Sequence, residues 1–324
     1  FIDAYDPVSG EQLWRFNTIP GPGEPGSETW PDDPEVLAAG GGGTWMNGSF
    51  DPELNLIYWG VGNPNPDYYG DARPGDNLYS NSLVALDADT GELRWHYQFT
   101  PHDLNDWDSN HMPVLAEVNW QGQPRQVVMV GNRNGFFYVL DRVTGELLLG
   151  TPFTATSWAR ELDADGRPIV LNDGSQGCVP DPWGSTNFMP PTFVPGQDLF
   201  ILTARETCAT YVPEQPADAP GQSNFGGTVL IDAEQGSGAL RALDIHTGDL
   251  VWEFSYPSPT FGGVLSTASG LVFAGDHEGN FMAFDAKDGR NLWHYQTGSR
   301  IWGAAAMRSE EHTSELQSPM YLVC

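Results

Sequence analysis

Four segments of the sequence place polar side chains beside the ends of predicted strands. They are residues 40–45, 60–64, 100–108 and 131–135, in which Asn, Asp and Arg accompany turn-forming glycine and proline. Asn and Asp supply the oxygen ligands that hard cations need, and a guanidinium supplies a fixed positive charge that stabilises a developing oxyanion. The same residue types also form ordinary turns, so turn formation alone remains an alternative explanation at this point.

A repeated pattern supplies the elements that would position these segments. Each copy has Ala, then Asp two residues later, Gly four residues after the Asp and Trp four residues after the Gly. The copies are Ala4-Asp6-Gly10-Trp14, Ala85-Asp87-Gly91-Trp95, Ala242-Asp244-Gly248-Trp252 and Ala283-Asp285-Gly289-Trp293, with a degenerate copy at Val139-Asp141-Gly145-Leu149.

Each copy predicts a β-hairpin, because alternating apolar residues flank a tight turn. The Asp caps the turn, the Gly provides a positive φ, and the Trp packs over a neighbouring unit. Units that recur with insertions between them predict radially stacked four-stranded sheets, which is a β-propeller. Residues 21–43, 63–81 and 211–238, rich in Pro, Gly and acid, are then predicted to be long loops of the blades.

Composition excludes several classes of protein. The 324 residues include 14 Lys and Arg against 43 Asp and Glu, giving a formal net charge of −29, which argues against a nucleic-acid partner. The hydrophobic share of 40% supports a large core rather than disorder. No stretch is apolar enough to predict a membrane span. Because the chain begins without Met in a predicted strand, we expect it to be a piece of a longer polypeptide.

The repeats and the four polar segments resemble the quinoprotein alcohol dehydrogenases, which use pyrroloquinoline quinone (PQQ) and include methanol and ethanol dehydrogenases. The resemblance covers residues 1 to about 307 and is most specific between Trp45 and Pro64. It implies an all-β, eight-bladed β-propeller, of which this chain is a part, with PQQ and a metal ion on the propeller axis. Residues 1–307 are expected to form this partial propeller domain.

The resemblance also implies roles for individual residues. Trp45 matches the indole that stacks on the quinone, for which core packing is the alternative, and Asn187 matches an amide that hydrogen-bonds PQQ. Arg133 matches the guanidinium beside the quinone oxygen, both a cofactor-binding and a catalytic role. Asn63 matches a ligand of the metal ion. Asp106 matches the catalytic base and is also expected to supply a carboxylate ligand to the metal ion. We expect the metal and Arg133 to keep the pKa of Asp106 low.

Two further acidic residues lie beside Asp106. Asp103 competes for the role of base and is expected to be structural. Asp108 matches a position where an acid accompanies a lanthanide in place of calcium in this family. A trivalent ion favours more negative oxygen ligands, so Asp108 is expected to be a metal ligand and to favour a lanthanide over calcium. The alternative is that Asp108 only caps a loop.

The cysteines bear on the compartment. From the sequence alone, Cys178 and Cys208 are either a disulfide or two buried thiols, and no paired-cysteine metal or haem motif is present. The resemblance implies that the two form a disulfide, and therefore an oxidising periplasm.

Both ends of the chain depart from the family pattern. A Glu ligand of the metal and a disulfide between adjacent cysteines would lie upstream of Phe1. Residues 308–324, which include Cys324, resemble a translated sequencing adapter and are expected to be a non-native tail. A propeller that lacks several blades exposes sheet edges and apolar faces that closure hides, so we expect the chain by itself to be poorly soluble and inactive.

The predicted activity is the oxidation of primary alcohols to aldehydes by metal-assisted hydride transfer to PQQ, with a cytochrome c as the electron acceptor. The alternative is a non-catalytic propeller scaffold of the outer-membrane assembly type, which needs the hairpins but not the polar segments. A PQQ-dependent sugar dehydrogenase is a third reading.

Overall fold

The structure is a computed structural model that describes residues 1–155, 157–171, 178–216, 225–232 and 236–306. It is built almost entirely from antiparallel strands, which confirms the all-β prediction. The predicted tail at 308–324 lies outside the described residues, and the domain bounds 1–307 stay a prediction. Among the described residues, no helix has the length and apolar character needed to cross a membrane.

The chain divides into two compact units. The first, called unit 1, comprises Phe1–Phe188, Glu206–Gly236 and His246–Gly248, and the second, called unit 2, comprises Met189–Arg205, Ser237–Ile245 and Asp249–Cys324. Unit 1 contains all four polar segments singled out in the sequence.

Unit 1 contains two four-stranded antiparallel sheets, one of β3 to β6 and one of β7 to β10. Their strands are β3 Ser49–Asp51, β4 Leu56–Gly60, β5 Ser82–Asp87, β6 Leu93–Gln98, β7 Val114–Trp120, β8 Gln123–Gly131, β9 Phe136–Asp141 and β10 Leu147–Pro152. The smaller sheets pair β1 with β2, β11 with β12, and β16 with both β13 and β17. Their strands are β1 Ile2–Tyr5, β2 Gln12–Phe16, β11 Ala159–Leu162, β12 Pro168–Val170, β13 Val179–Pro180, β16 Cys208–Pro213 and β17 Gly227–Ile231.

Unit 2 contains two more four-stranded antiparallel sheets, with the orders β14-β15-β18-β19 and β20-β21-β22-β23. Their strands are β14 Thr192–Val194, β15 Leu199–Glu206, β18 Ser237–Asp244, β19 Leu250–Tyr256, β20 Val264–Ser266, β21 Leu271–Gly275, β22 Asn280–Asp285 and β23 Asn291–Gln296. In each repeat with Trp, the Ala to Trp span covers the hairpin between the last two strands of a sheet.

All three predicted loops contain regular structure, which in the segment 63–81 is a 3-10 helix at Gly70–Ala72. The segment 21–43 includes a short helix, α1 Pro34–Ala39, which begins where the Asp33 carboxylate accepts a hydrogen bond from the Glu35 amide. The segment 211–238 was predicted to be a loop, and this is wrong for Gly227–Ile231, which pairs with β16. The strand contains the short run Thr-Val-Leu-Ile, which favours β-structure. The run was overlooked because the residues around it are acidic and rich in proline.

The spacing of Asp and Gly, which is the same in every copy of the repeat, has a direct structural cause. In the first copy, Asp6 Oδ1 accepts hydrogen bonds from the amides of Val8 and Ser9, at 2.9 and 2.7 Å. Gly10 follows with φ of 74°, a left-handed conformation that suits glycine. Asp87 and Asp141 cap their own turns in the same way.

Three of the four repeat tryptophans dock on the turn of the next repeat, as predicted, whereas Trp293, in the last repeat, is 50% exposed. Trp14 Nε1 donates to the Ala88 carbonyl at 3.1 Å. Its ring lies so close to Gly91 that a Cβ there would come within 2.5 Å of it. The same pair of contacts joins Trp95 to the turn containing Gly145, and Trp252 to the turn containing Gly289. The repeat therefore specifies contacts between hairpins as well as the hairpins themselves.

The core of unit 1 includes Trp107, a residue of the polar segment 100–108. Trp107, Phe136 and Tyr138 are fully buried there and pack with neighbouring aromatic rings. Trp107 Nε1 donates to the carbonyls of Pro180 and Asp181, so a core side chain fixes the loop that carries Asp106 and Asp108. Buried tryptophan with a satisfied N–H is a rigid anchor.

Candidate active site

Three of the four polar segments follow strands, as the sequence predicted, whereas the segment 40–45 follows helix α1. β4 ends at Gly60, β6 ends at Gln98 and β8 ends at Gly131, and a polar segment begins at or just after each of these ends. Loops on a rigid scaffold are the usual place for functional side chains.

Asp103 holds the loop 100–108 in shape. Its side chain is 1% exposed, and its carboxylate accepts hydrogen bonds from the amides of Asn105 and Trp107, at 3.0 and 2.8 Å. It also accepts from Asn81 Nδ2 at 3.2 Å. These contacts give Asp103 the structural role expected of it, and they leave Asp106 at φ of 59° in the turn they close.

Two asparagines hold the loop that carries Arg133. Asn132 Oδ1 accepts from the Asn134 amide, and Asn134 Oδ1 accepts from the Phe136 amide, each at 3.1 Å. The opposite wall is backbone, because a Cβ on Gly184 would lie 2.4 Å from the Arg133 side chain. Arg133 is therefore confined between two rigid segments.

Arg133 contacts more of the predicted site residues than any one side chain described above. Its Nη1 donates to the carbonyls of Asp106 and Pro182, both at 2.9 Å. Its Nη2 lies 3.1 Å from Asp108 Oδ2, a largely buried ion pair, and 3.4 Å from Asn187 Oδ1. The guanidinium carbon lies 5.6 Å from the centre of the Trp45 ring. One buried cation thus joins four of the other predicted residues.

Trp45 is presented to the site rather than packed in the core. Its side chain is 48% exposed, so core packing does not account for it. Its Nε1 donates to Asp108 Oδ2 at 3.0 Å, which fixes the plane of the ring beside the ion pair. A flat, partly exposed indole held next to a cation suits the face of a planar aromatic ligand.

Asn63 joins the same network from the end of β4. Its backbone amide donates to Asp108 Oδ1 at 3.0 Å. A Cβ on the preceding Gly62 would come within 2.3 Å of that oxygen, so this close approach depends on glycine. Asn187 completes the set: its Nδ2 donates to the Trp183 carbonyl, and its Oδ1 accepts from the Phe188 amide, both at 2.8 Å.

The electrostatics of Asp106 differ from those of Asp108. Within the residues that the structure describes, the Asp106 carboxylate makes no hydrogen bond or ion pair, because Arg133 pairs with Asp108. Burial, followed by repulsion from Asp108, raises the pKa of Asp106 to about 9, although Arg133 lowers it. Burial also raises the pKa of Asp67 and of Asp103 to about 6. Arg133 alone therefore does not keep the pKa of Asp106 low, and a bound cation would be needed to do so.

The donor atoms fit a hard cation. In the described part of the chain, no three side chains of His, Cys, Asp or Glu form a ready-made metal site. The predicted ligands would instead offer oxygen atoms, from the Asp106 and Asp108 carboxylates and from the amide of Asn63, whose oxygen accepts no hydrogen bond within the described residues. Repulsion between the carboxylates is relieved by a cation, and an all-oxygen set suits calcium or a lanthanide.

Sequence reasoning missed Asp67. Its Oδ1 accepts a hydrogen bond of 2.8 Å from Asn63 Nδ2, which ties it to a predicted metal ligand. The one signal in the sequence was an acid four residues after Asn63, within a segment interpreted only as a loop.

The predicted disulfide between Cys178 and Cys208 is present, and the two positions are 30 residues apart in the sequence. It connects the residue before β13 to the first residue of β16. The two strands pair directly, so the bond reinforces a contact that the sheet already makes.

Comparison with known proteins places this geometry in context. A family profile described as the β-propeller domain of glucose, ethanol and alcohol dehydrogenases matches residues 1–156. A second profile, described as the outer membrane protein assembly factor BamB, matches residues 213–314. The first match contains five of the six candidate residues, all except Asn187.

Curated relatives match nearly the whole chain. The quinoprotein alcohol dehydrogenase PedH of Pseudomonas putida is 37% identical over 97% of this chain and 58% of its own length. The lanthanide-dependent methanol dehydrogenase of Methylorubrum extorquens is 34% identical over 93% of this chain and 56% of its own. The chain thus spans little more than half the length of these relatives.

Solved structures agree. The quinohemoprotein alcohol dehydrogenase ADHIIG of Pseudomonas putida superposes with a TM-score of 0.86 at 37% identity, over 93% of this chain and 49% of that one. A europium-containing methanol dehydrogenase superposes with a TM-score of 0.85 at 32% identity, over 93% and 57% of the two chains. The β-propeller prediction is therefore confirmed, whereas the count of eight blades stays a prediction.

Proposed function

The chain belongs to the PQQ-dependent quinoprotein alcohol dehydrogenases, and on that premise we propose that it oxidises primary alcohols to aldehydes. The observation that carries the proposal is the network in which Arg133 and Trp45 both contact Asp108, with Asn63 on the other oxygen of the same carboxylate. A loop cap alone would not need a buried guanidinium and an exposed indole on one carboxylate.

Two bound groups complete the proposed site. PQQ, when bound, would supply a two-electron acceptor for hydride transfer, and a metal ion, a lanthanide or calcium, would supply Lewis acidity. Trp45, Arg133 and Asn187 would hold PQQ, and Asn63, Asp106 and Asp108 would hold the metal. We favour a lanthanide because Asp108 adds a carboxylate to the donor set.

The residues of the chain perform the proton chemistry. The Asp106 carboxylate removes the hydroxyl proton of the alcohol, for which it must be ionised. With a pKa raised to about 9 by burial and Asp108, it is protonated at neutral pH until a cation is present. Arg133 holds a fixed positive charge beside the Asp106 carbonyl, and that charge would stabilise negative charge on a bound acceptor.

The electron acceptor and the compartment are parts of the same proposal. We propose that a cytochrome c reoxidises the reduced cofactor and that the protein works in the periplasm. The disulfide between Cys178 and Cys208 supports an oxidising compartment.

A second candidate function is a non-catalytic propeller scaffold. The match of residues 213–314 to the BamB profile favours it, because that part of the chain carries two Trp repeats and none of the six candidate residues. A scaffold would bind no PQQ, and this separates the two candidates.

The test is dye-linked oxidation of a panel of primary alcohols and sugars by the protein that carries this chain, loaded with PQQ and either calcium or lanthanum. We expect alcohol oxidation, and a loss of kcat of about 100-fold to 10,000-fold in Asp106→Asn. Asp32→Asn, at an exposed acid, is the control. Oxidation of sugars alone would contradict the proposed substrate class, and full activity in Asp106→Asn would contradict the base.

A further inference from the structure

We propose that Asp67 is a positioning residue that turns the amide oxygen of Asn63 toward the cation, an inference that rests on the proposed metal site. The evidence is geometric. Asn63 Nδ2 donates to Asp67 Oδ1 at 2.8 Å and to the Pro64 carbonyl at 3.2 Å.

These contacts determine which terminal atom of the Asn63 side chain is the nitrogen and which is the oxygen. An ionised carboxylate and a carbonyl can only accept hydrogen bonds, so the end of the Asn63 side chain that meets them must be the nitrogen. The oxygen then points away from Asp67. Without Asp67, the longer contact with Pro64 is the one hydrogen bond among the described residues that opposes a flip of the amide, and a flipped amide would present N–H donors to a cation.

Asp67 is itself held in place by a buried arginine. Arg73 is fully buried, and its guanidinium donates to the Asp67 carbonyl at 3.2 Å and to the Pro66 carbonyl at 2.9 and 3.0 Å. It also donates to the carbonyl of Asp103, in the loop that carries Asp106. The segment that presents Asp67 is therefore tied to the same loop as the candidate base.

Asn63 is fixed from two sides. Its backbone amide donates to Asp108 Oδ1, and its side-chain amide donates to Asp67 Oδ1. Asp108 sets the position of the residue, and Asp67 sets the rotation of its amide group. Residues that orient a metal ligand in this way typically change metal affinity 10-fold to 100-fold when removed.

The experiment is calorimetric titration of the metal-free protein with lanthanum and, separately, calcium. The variants are Asp67→Ala and Asp67→Asn, with Asp71→Ala as a matched control that removes an exposed acid from the same loop. We expect Asp67→Ala to weaken binding about 10-fold or more. Asp67→Asn keeps an oxygen that can accept from Asn63 and should lose less than about threefold. Asp71→Ala should bind like the wild type.

A second pair of variants removes the need for orientation. Asn63→Asp presents an oxygen at either end of its side chain, so Asp67→Ala in that background should cost less than about threefold. The unfolding temperature of each metal-free variant shows that the comparison is made on folded protein.

The outcomes separate this inference from the proposed function. If the wild type binds neither metal, the proposed metal site fails. If the wild type binds and Asp67→Ala binds equally well, the positioning role fails. If Asp67→Asn loses as much as Asp67→Ala, or the loss persists in the Asn63→Asp background, Asp67 acts through its charge and the positioning role is likewise wrong.

Discussion

At the scale of single residues, Asp108 is the proposed ligand whose removal should affect the two candidate metals differently. It contacts Asn63, Trp45 and Arg133 at once, so its removal disturbs binding of any cation. The attraction of a carboxylate for a cation grows with the charge of the cation. The loss of affinity should therefore be greater for a trivalent ion than for a divalent one.

We predict that Asp108→Ala weakens lanthanum binding about tenfold more than calcium binding, a difference of about 1.4 kcal/mol. Competitive titration of the two metals measures this ratio, and Asp32→Ala is the control for loss of an exposed acid. Because both metals share the damage to Arg133 and Trp45, the ratio isolates the effect of charge. Equal losses for the two metals would contradict the preference for a lanthanide.

His111 gives a prediction for the dependence of stability on pH. Burial, and secondarily Arg133, lowers its pKa to about 3. Its ordinary pKa of about 6.5 applies in the unfolded chain, so below that value the unfolded state binds a proton that the folded state does not. The contribution of His111 to stability is therefore complete above pH 6.5 and is lost as the pH falls toward 3.

The measurement is urea unfolding of the wild type and of His111→Gln between pH 7.5 and 4.5. Taking the difference between the two proteins removes the contribution of the acidic residues, which both share. We expect the stability advantage of the wild type over His111→Gln to shrink steadily below about pH 6.5. An advantage that stays constant over this range would show that His111 takes up its proton in the folded state.

Sequence reasoning identified six of the residues of this network but not their connections. Trp45, Asn63, Asp106, Asp108, Arg133 and Asn187 lie on motifs that resemble a known family. The choice of Asp108 over Asp106 as the ion-pair partner of Arg133 depends on the turn at Asp106, whose φ is 59°. Spacing along the chain does not specify such a turn. It also does not predict the contact between Asp67 and Asn63.

At the scale of elements, substitution of two turn glycines can distinguish the energetic cost of backbone strain from the cost of lost packing. Gly91 has φ of 71°, and a Cβ there would come within 2.5 Å of the Trp14 ring. Gly10 occupies the equivalent place in the first repeat with φ of 74°, but no atom lies within 4 Å of its Cβ position. The two positions thus share the strain and differ in the contact.

We predict that Gly10→Ala lowers the free energy of unfolding by about 1–2 kcal/mol, the cost of a left-handed residue with a side chain. Gly91→Ala should cost about 1–3 kcal/mol more, because the methyl group displaces Trp14 from its docking site. Denaturant unfolding measures both. Equal losses at the two positions would show that tryptophan docking contributes little to stability.

The hairpins could be predicted from the sequence because one turn formula repeats. The Asp, Gly and Trp of each copy define the turn, its φ and the docking contact. The sheet of β13, β16 and β17 carries no such formula, which is why β17 was taken for a loop. Its strands are joined across a long separation by pairing and by the disulfide, neither of which leaves a periodic signal.

At the scale of the whole molecule, the candidate site belongs entirely to unit 1. All six candidate residues fall within Phe1–Phe188. The repeats alone do not give the number of blades, because they begin at uneven intervals. In addition, the two-stranded sheet of β11 and β12 carries no copy of the repeat, whereas the sheet of β1 and β2 carries the copy that ends at Trp14. The net charge of −29 says nothing about the fold but agrees with a small neutral substrate.

The central claim, that the chain holds PQQ against Trp45 beside a metal, is tested most directly by retention of the cofactor. The protein that carries this chain is mixed with PQQ and lanthanum or calcium and passed through gel filtration, and bound PQQ is measured by its absorbance. Trp45→Ala is compared with Trp293→Ala, since these two tryptophans are 48% and 50% exposed. We predict that the wild type and Trp293→Ala retain one PQQ per chain and that Trp45→Ala loses most of it. Failure of the wild type to retain PQQ with either metal would contradict the account and favour the scaffold.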